Sequence, residues 1–216
     1  MYSEMPASVS SRRPLWLQIC FWVSLAISVA VVIRRVLAIA SPSKGPEMIR
    51  SMDLHFEAHT ALTLAHILGA LLFIVVTPYV VLRAESGRLR DAWFLLGIWT
   101  GLSGLAMTAL SIGGWIERTA IYFFATLLLW ELWRAFQTRH HAFENRRWIL
   151  RATGTVLGIA TTRPVVGFFF ATSRLTHLTP QQFFGVAFWT GFSINVLATE
   201  WWVRRSAVTD KLPAIS

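Results

Sequence analysis

The stretch WILRATGTVLGIATTRPVVGFFFATS, from Trp148 to Ser173, decides the fold of this chain. It is long enough to cross a bilayer as a helix, since about 20 residues rising about 1.5 Å each match about 30 Å of hydrocarbon. Arg163 nevertheless sits near its middle, followed at once by Pro164. A guanidinium at the centre of a membrane helix costs about 2.5 to 3.5 kcal/mol on insertion scales, so it needs a partner, a cavity or a ligand. One segment therefore states both the solvent of the protein and the place where a function would sit.

Outward from this segment the same texture repeats. Of 216 residues 55% are hydrophobic and only 14% charged, against about 25% charged in soluble domains. The mean hydropathy is +0.53. Six spans are expected: Leu15 to Val36, Leu62 to Val81, Trp93 to Ile112, Thr119 to Ala135, Leu150 to Thr172 and Phe183 to Val203. Helices alone satisfy their backbone within lipid. The expectation is an all-α, polytopic membrane helix bundle over residues 15–205, with cytoplasmic tails at 1–14 and 206–216.

With six spans both termini share one side. That side collects Arg12, Arg13, Arg83, Arg88, Arg90, Arg134, Arg139, Arg146, Arg147, Arg151, Arg204, Arg205 and Lys211, and the other only Arg34, Arg35, Lys44, Arg50, Arg118 and Arg174. The excess of basic residues marks the first side as cytoplasmic. The pair Arg34-Arg35 pulls weakly the other way. A net charge of +9 in juxtamembrane positions calls for anionic lipid headgroups rather than nucleic acid. Trp16, Trp93, Trp148, Trp201, Trp202 and Trp115 fall at the expected interfaces and read as an aromatic belt.

Cys20 is the single cysteine, which excludes an intramolecular disulfide. The first apolar run is too long for a signal core, and Arg34-Arg35 interrupts it before Ala38-Ile39-Ala40, so no cleavage is expected. Thr179-Pro180 reads as the start of the last helix, Thr capping and Pro in the first turn. Gly97 with Gly101, and Gly154 with Gly158, have the spacing that lets helices approach closely.

His55, His59 and His66 fall within about 40° on one helical face. Imidazoles at this spacing suit a metal or haem, or serve as hydrogen-bonded interfacial residues. The segment His55-Phe56-Glu57-Ala58-His59 lacks the Glu directly after the first His that a zinc protease requires. Six histidines are too few for the histidine boxes of membrane di-iron desaturases. No phosphate loop, dinucleotide fingerprint or nucleophile elbow is present.

His66 lies within its span, about 7 to 8 Å to the outer side of the midplane, and Arg163 about 4 to 5 Å to the same side, at about 1.5 Å per residue. If their helices are neighbours, the two can share one polar site. Glu200 and Glu131 lie in the other half, and Glu57 and Glu117 near the outer interface, so no carboxylate is an easy partner for Arg163. Pro164 should kink the helix and free the carbonyl of Ala160, with Thr161 and Thr162 lining the opening.

Leu64-Ala65-His66-Ile67-Leu68-Gly69-Ala70 with Pro78 and Arg83, Arg146-Arg147-Trp148-Ile149-Leu150-Arg151, Arg163, and Asn195 through Trp201 together resemble a family of bacterial membrane proteins, domain of unknown function 2306. The resemblance covers roughly Leu64 to Arg205. Two of the family's histidine positions hold other residues here, in Asp91-Ala92-Trp93 and at Asn145. The resemblance implies a multi-pass protein of the bacterial inner membrane and brings no established reaction.

Two functions compete. One is a noncatalytic binding, transport or accessory subunit, open to a membrane protein partner, whose intramembrane polar site is His66, Arg163, Pro164 and Thr162. The other is a b-type haem protein drawing axial ligands from His59, His66 and His177.

Overall fold

The computed structural model describes residues 15–40, 54, 57–83 and 87–209. Among these no strand occurs, and the chain runs as helices α1 (Leu15–Ala40), α2 (Thr60–Arg83), α3 (Arg88–Met107), α4 (Gly114–Gln137), α5 (Ala142–Val156), α6 (Gly158–Thr176) and α7 (Pro180–Thr209). A 3-10 turn, Thr108–Leu110, extends α3. Only Leu157 separates α5 from α6. Four segments are long and apolar enough to cross a membrane: Gln18–Leu37, Thr60–Val81, Arg88–Leu110 and Ala142–Ser173. The protein is a membrane-type helical bundle. Helices α4 and α7, with 24 and 30 residues, have the length but carry more polar residues, among them Glu117, Arg118, Glu131 and Arg134 on α4.

Local sequence sets the helix ends. The start of α7 is as the Thr-Pro pair predicts: Pro180 opens it, and the Gln182 side chain accepts from the Thr179 amide at 2.9 Å. That is half of a capping box. Helix α4 starts earlier than expected, at Gly114, whose φ of 62° suits glycine. There the Glu117 carboxylate accepts from the Gly113 amide, satisfying a group the helix start leaves open.

The rod from α5 to α6 breaks at Leu157, a full turn and more before the expected kink at Pro164. The Ala160 amide donates to the Leu157 carbonyl at 2.9 Å, a tightened i to i−3 bond. Pro164 lies inside α6 without ending it.

Two apolar clusters hold the bundle. Phe73, Trp93, Leu132 and Ile149 join α2 to α5, while Phe183, Phe184 and Val166 join α6 to α7. Trp93 belongs to this core and not to an aromatic belt: it is fully buried, stacked on Phe73 at 5.0 Å, and its indole donates to Thr77 Oγ1 at 2.9 Å. Its one polar atom is satisfied inside, so nothing draws it to the interface.

Glycines set the closest helix approaches. Gly97 and Gly101 on α3 face Leu132 and Leu129 of α4, Gly154 faces Thr199, and Gly158 faces Phe192. At Gly191 an added methyl would stand 2.5 Å from Thr162 Cα and 2.6 Å from its amide nitrogen, where backbone cannot yield. Gly191→Ala is expected to lower the unfolding free energy by about 1 to 3 kcal/mol through overpacking, read as a lower melting temperature in detergent. An unchanged melt would show that α6 and α7 are not locked at this contact.

Candidate functional site

A cavity of about 230 Å³ lies inside the bundle, with every one of the seven helices contributing to its wall. It sits toward the end where α1 and α3 finish and α2 and α4 begin, since Arg35, His66, Met107 and Glu117 all line it. Its deeper wall is apolar, with Ile74, Phe124, Leu128, Val156 and Phe192. Its polar residues are few: Ser28, Arg35, Thr63, His66, Thr100, Ser111, Glu117, Thr155 and Arg163. An apolar chamber with a handful of placed polar groups is the usual form of a small-molecule site.

His66 reaches the cavity from the second turn of α2. Its Nδ1 lies 2.9 Å from Ser103 Oγ, and that hydroxyl stands 2.6 Å from the Trp99 carbonyl. A hydroxyl has one proton, and the shorter contact takes it. Nδ1 of the neutral ring therefore donates to Ser103, which leaves Nε2 as an acceptor. The Trp99 indole in turn donates to the Ala65 carbonyl at 2.9 Å, fixing α3 to α2 beside the histidine.

Arg163 enters the same cavity from α6. Its Nε is buried and has no hydrogen-bond partner among the described residues. The charged side chains whose fields reach it are Arg35, Arg34 and Glu117. Among the described residues the charged side chains on the cavity wall are Arg35, Arg163 and Glu117, and the Glu117 carboxylate accepts from Gly113.

The carboxylates on the far half are engaged elsewhere. Glu200 bridges Arg151 at 2.7 Å and Arg204 at 2.6 Å, and Glu131 accepts from Thr155 Oγ1 at 2.7 Å. The sequence reading passed over Glu117 as an interfacial residue and Arg35 as an outer charge, but both line the cavity. The signal for Glu117 was an acid in a first helical turn behind Gly113-Gly114. Ser103, the partner of His66, carried no signal beyond being one hydroxyl among many.

Other expected site residues lie apart. Thr162 is fully buried against Gly191, its hydroxyl donating to the Gly158 carbonyl at 2.9 Å, and Pro164 is exposed on α6. Neither lines the cavity. His59 is exposed in the turn before α2. His177 is exposed with φ 54°, closing the end of α6 in the left-handed conformation. His66 is the one histidine among the cavity residues, and among the described residues no three His, Cys, Asp or Glu side chains form a metal-holding group. His55 lies outside the described residues.

Because Arg163 Nε has no partner among the described residues, removing its charge breaks no hydrogen bond there. Arg163→Gln is expected to melt at or above the temperature of the unaltered chain, a gain of up to about 3 kcal/mol from the relieved desolvation. A loss of more than about 1 kcal/mol in chemical or thermal unfolding would show instead that the guanidinium ties helices together.

No protein-family model, curated protein or solved structure matches the chain.

Proposed function

We propose that this chain is a six-span, noncatalytic membrane protein of the bacterial inner membrane that binds a small solute in the cavity between His66 and Arg163. The observation that carries this reading is the buried, unpartnered Nε of Arg163 in the wall of that cavity. A charge placed in hydrocarbon at a cost, with a donor that no described residue satisfies, is explained by a ligand that visits it.

Six crossings are supported by the faces of the two less apolar helices. On α4 the exposed residues Ile116, Phe123, Trp130 and Trp133 form an apolar stripe, and on α7 so do Val186, Ile194, Leu197 and Trp201. Their acids turn inward, Glu131 to Thr155 and Glu200 to Arg151. Average composition hides this division, which is the one lipid demands. Helix alternation then gathers Arg88, Arg90, Arg139, Arg146, Arg147, Arg204 and Arg205 at one end, the cytoplasmic one by the positive-inside rule. The resemblance to domain of unknown function 2306 fits this plan and rests on the residues that carry it.

The haem reading has less support. A haem held by two histidines needs a second imidazole opposite His66, and among the described residues none lines the cavity. Its volume also lies below the roughly 300 to 1,000 Å³ of sites for drug-sized ligands.

Two measurements test the proposal. In a Cys20→Ser background, Thr176→Cys and Trp115→Cys should react with an impermeant maleimide from outside intact cells, and His140→Cys only after permeabilisation. Labelling of His140→Cys in intact cells would remove α4 as a crossing. Reduced-minus-oxidised spectra of the purified protein should show no b-type band; a band lost in His66→Ala would replace the solute reading with the haem one.

A further inference from the structure

The cavity's charge, size and lining define what it takes, if the solute reading above is right. Among the described residues its wall carries Arg163, Arg35 and Glu117, and of these Arg163 has a buried donor atom without a hydrogen-bond partner. In a medium that solvates ions poorly, a buried guanidinium with an open donor selects a single opposite charge. The donor that lacks a partner is on Arg163, and a guanidinium pairs best with a planar oxyanion, which it can bind with two parallel N–H donors.

Size narrows the choice. A dry apolar cavity of about 150 Å³ holds benzene, with six nonhydrogen atoms. Scaled by volume, 230 Å³ holds about nine. Phe124, Phe188 and Phe192 line the chamber with Ile74 and Leu128, so most of those atoms must be apolar. We infer that the cavity between α2 and α6 binds a compact organic monocarboxylate, its carboxylate on Arg163 and its apolar body against Phe124, Phe192 and Leu128.

Such an acid can arrive from water or, as a fatty acid, from the bilayer. The volume favours the compact, water-borne form over a long chain.

The test uses the full chain in maltoside micelles at neutral pH, with titration calorimetry and native mass spectrometry. Benzoate and benzamide have the same number of nonhydrogen atoms and differ in charge. Benzoate should bind one per chain and at least tenfold more tightly than benzamide. Arg163→Gln should bring benzoate down to the benzamide level and leave benzamide unchanged.

Gly104→Val reports on the cavity itself. A Cβ at Gly104 meets only His66 Cε1 at 3.6 Å and Ala125 Cβ at 3.9 Å, so the chain accepts it without a clash. Its methyls occupy ligand space and should weaken both compounds at least tenfold. Circular dichroism and gel filtration confirm that each variant is folded.

Equal affinity for benzoate and benzamide, with both lost in Gly104→Val, would overturn the anion while leaving the cavity as a solute site. Benzoate that stays preferred in folded Arg163→Gln would overturn the role of Arg163. Decanoate binding more tightly than benzoate would overturn the compact acid in favour of a fatty acid from the bilayer. Failure of benzoate to bind the unaltered chain would overturn the monocarboxylate outright, and the haem spectrum then decides the solute reading independently.

Discussion

Every polar group that a membrane bundle carries into hydrocarbon must be satisfied from within, and most of this structure can be understood as the working out of that demand. Thr77, Thr100, Thr153, Thr162 and Ser103 return their hydroxyl protons to carbonyls on their own helices. Trp93 donates to Thr77, Trp99 to the Ala65 carbonyl, Asn145 to the Ala135 carbonyl and Thr155 to Glu131. The bond from Trp99 to Ala65 crosses where Gly69 lets the Trp99 ring lie close against α2. Polar satisfaction and packing reinforce each other there.

The break at Leu157 gives the bundle its asymmetry. Below it α5 packs on α2, α4 and α7 around Ile149 and Ala152. Beyond it α6 packs chiefly on α7 and also touches α1. The cavity occupies the region where α2 no longer has α5 beside it, with His66 on one wall and Arg163 on another. The tightened bond from Ala160 to Leu157 marks the turn at this level, with Thr155 and Val156 before it and Ile159 and Arg163 after it on the cavity wall.

The sequence made the helices legible because lipid imposes a simple rule on composition, and their interior order partly legible because small residues mark close contacts. Gly154 and Gly158 do face α7 at short range. What stayed hidden depends on side-chain direction. Trp93 looked interfacial because its partner, Thr77, lies on another helix. Glu117 was placed near the interface because its local signal, a first-turn acid behind two glycines, indicates a fold back to Gly113 but not that the side chain lines a cavity. Pro164 predicted a kink at its own position, but the helix relaxed earlier, at Leu157, where Gly158 packs against Phe192. Thr162 shared a segment with Arg163 yet turned to the opposite side, toward Gly191.

The two ends of the bundle obey the same constraint with different results, and the contrast bears on the proposed site. At the Arg151 end, arginine, acid and aromatic are matched: Arg151 lies 4.5 Å from the Trp148 ring and pairs with Glu200, while Arg134 covers the same ring at 5.3 Å. The buried Nε atoms of Arg90 and Arg147 lack partners but sit near helix starts, within reach of headgroups and water. Arg163 has neither remedy. It stands well inside the membrane-length segment Ala142–Ser173, the acid whose field reaches it already accepts from a backbone amide, and two further arginines share its field. A fold able to pair Arg151 and Glu200 so closely does not leave Arg163 unpaired for want of acids. Asn195 Nδ2 is likewise buried without a partner among the described residues but does not line the cavity, whereas Arg163 does, and the proposed binding site rests on that difference.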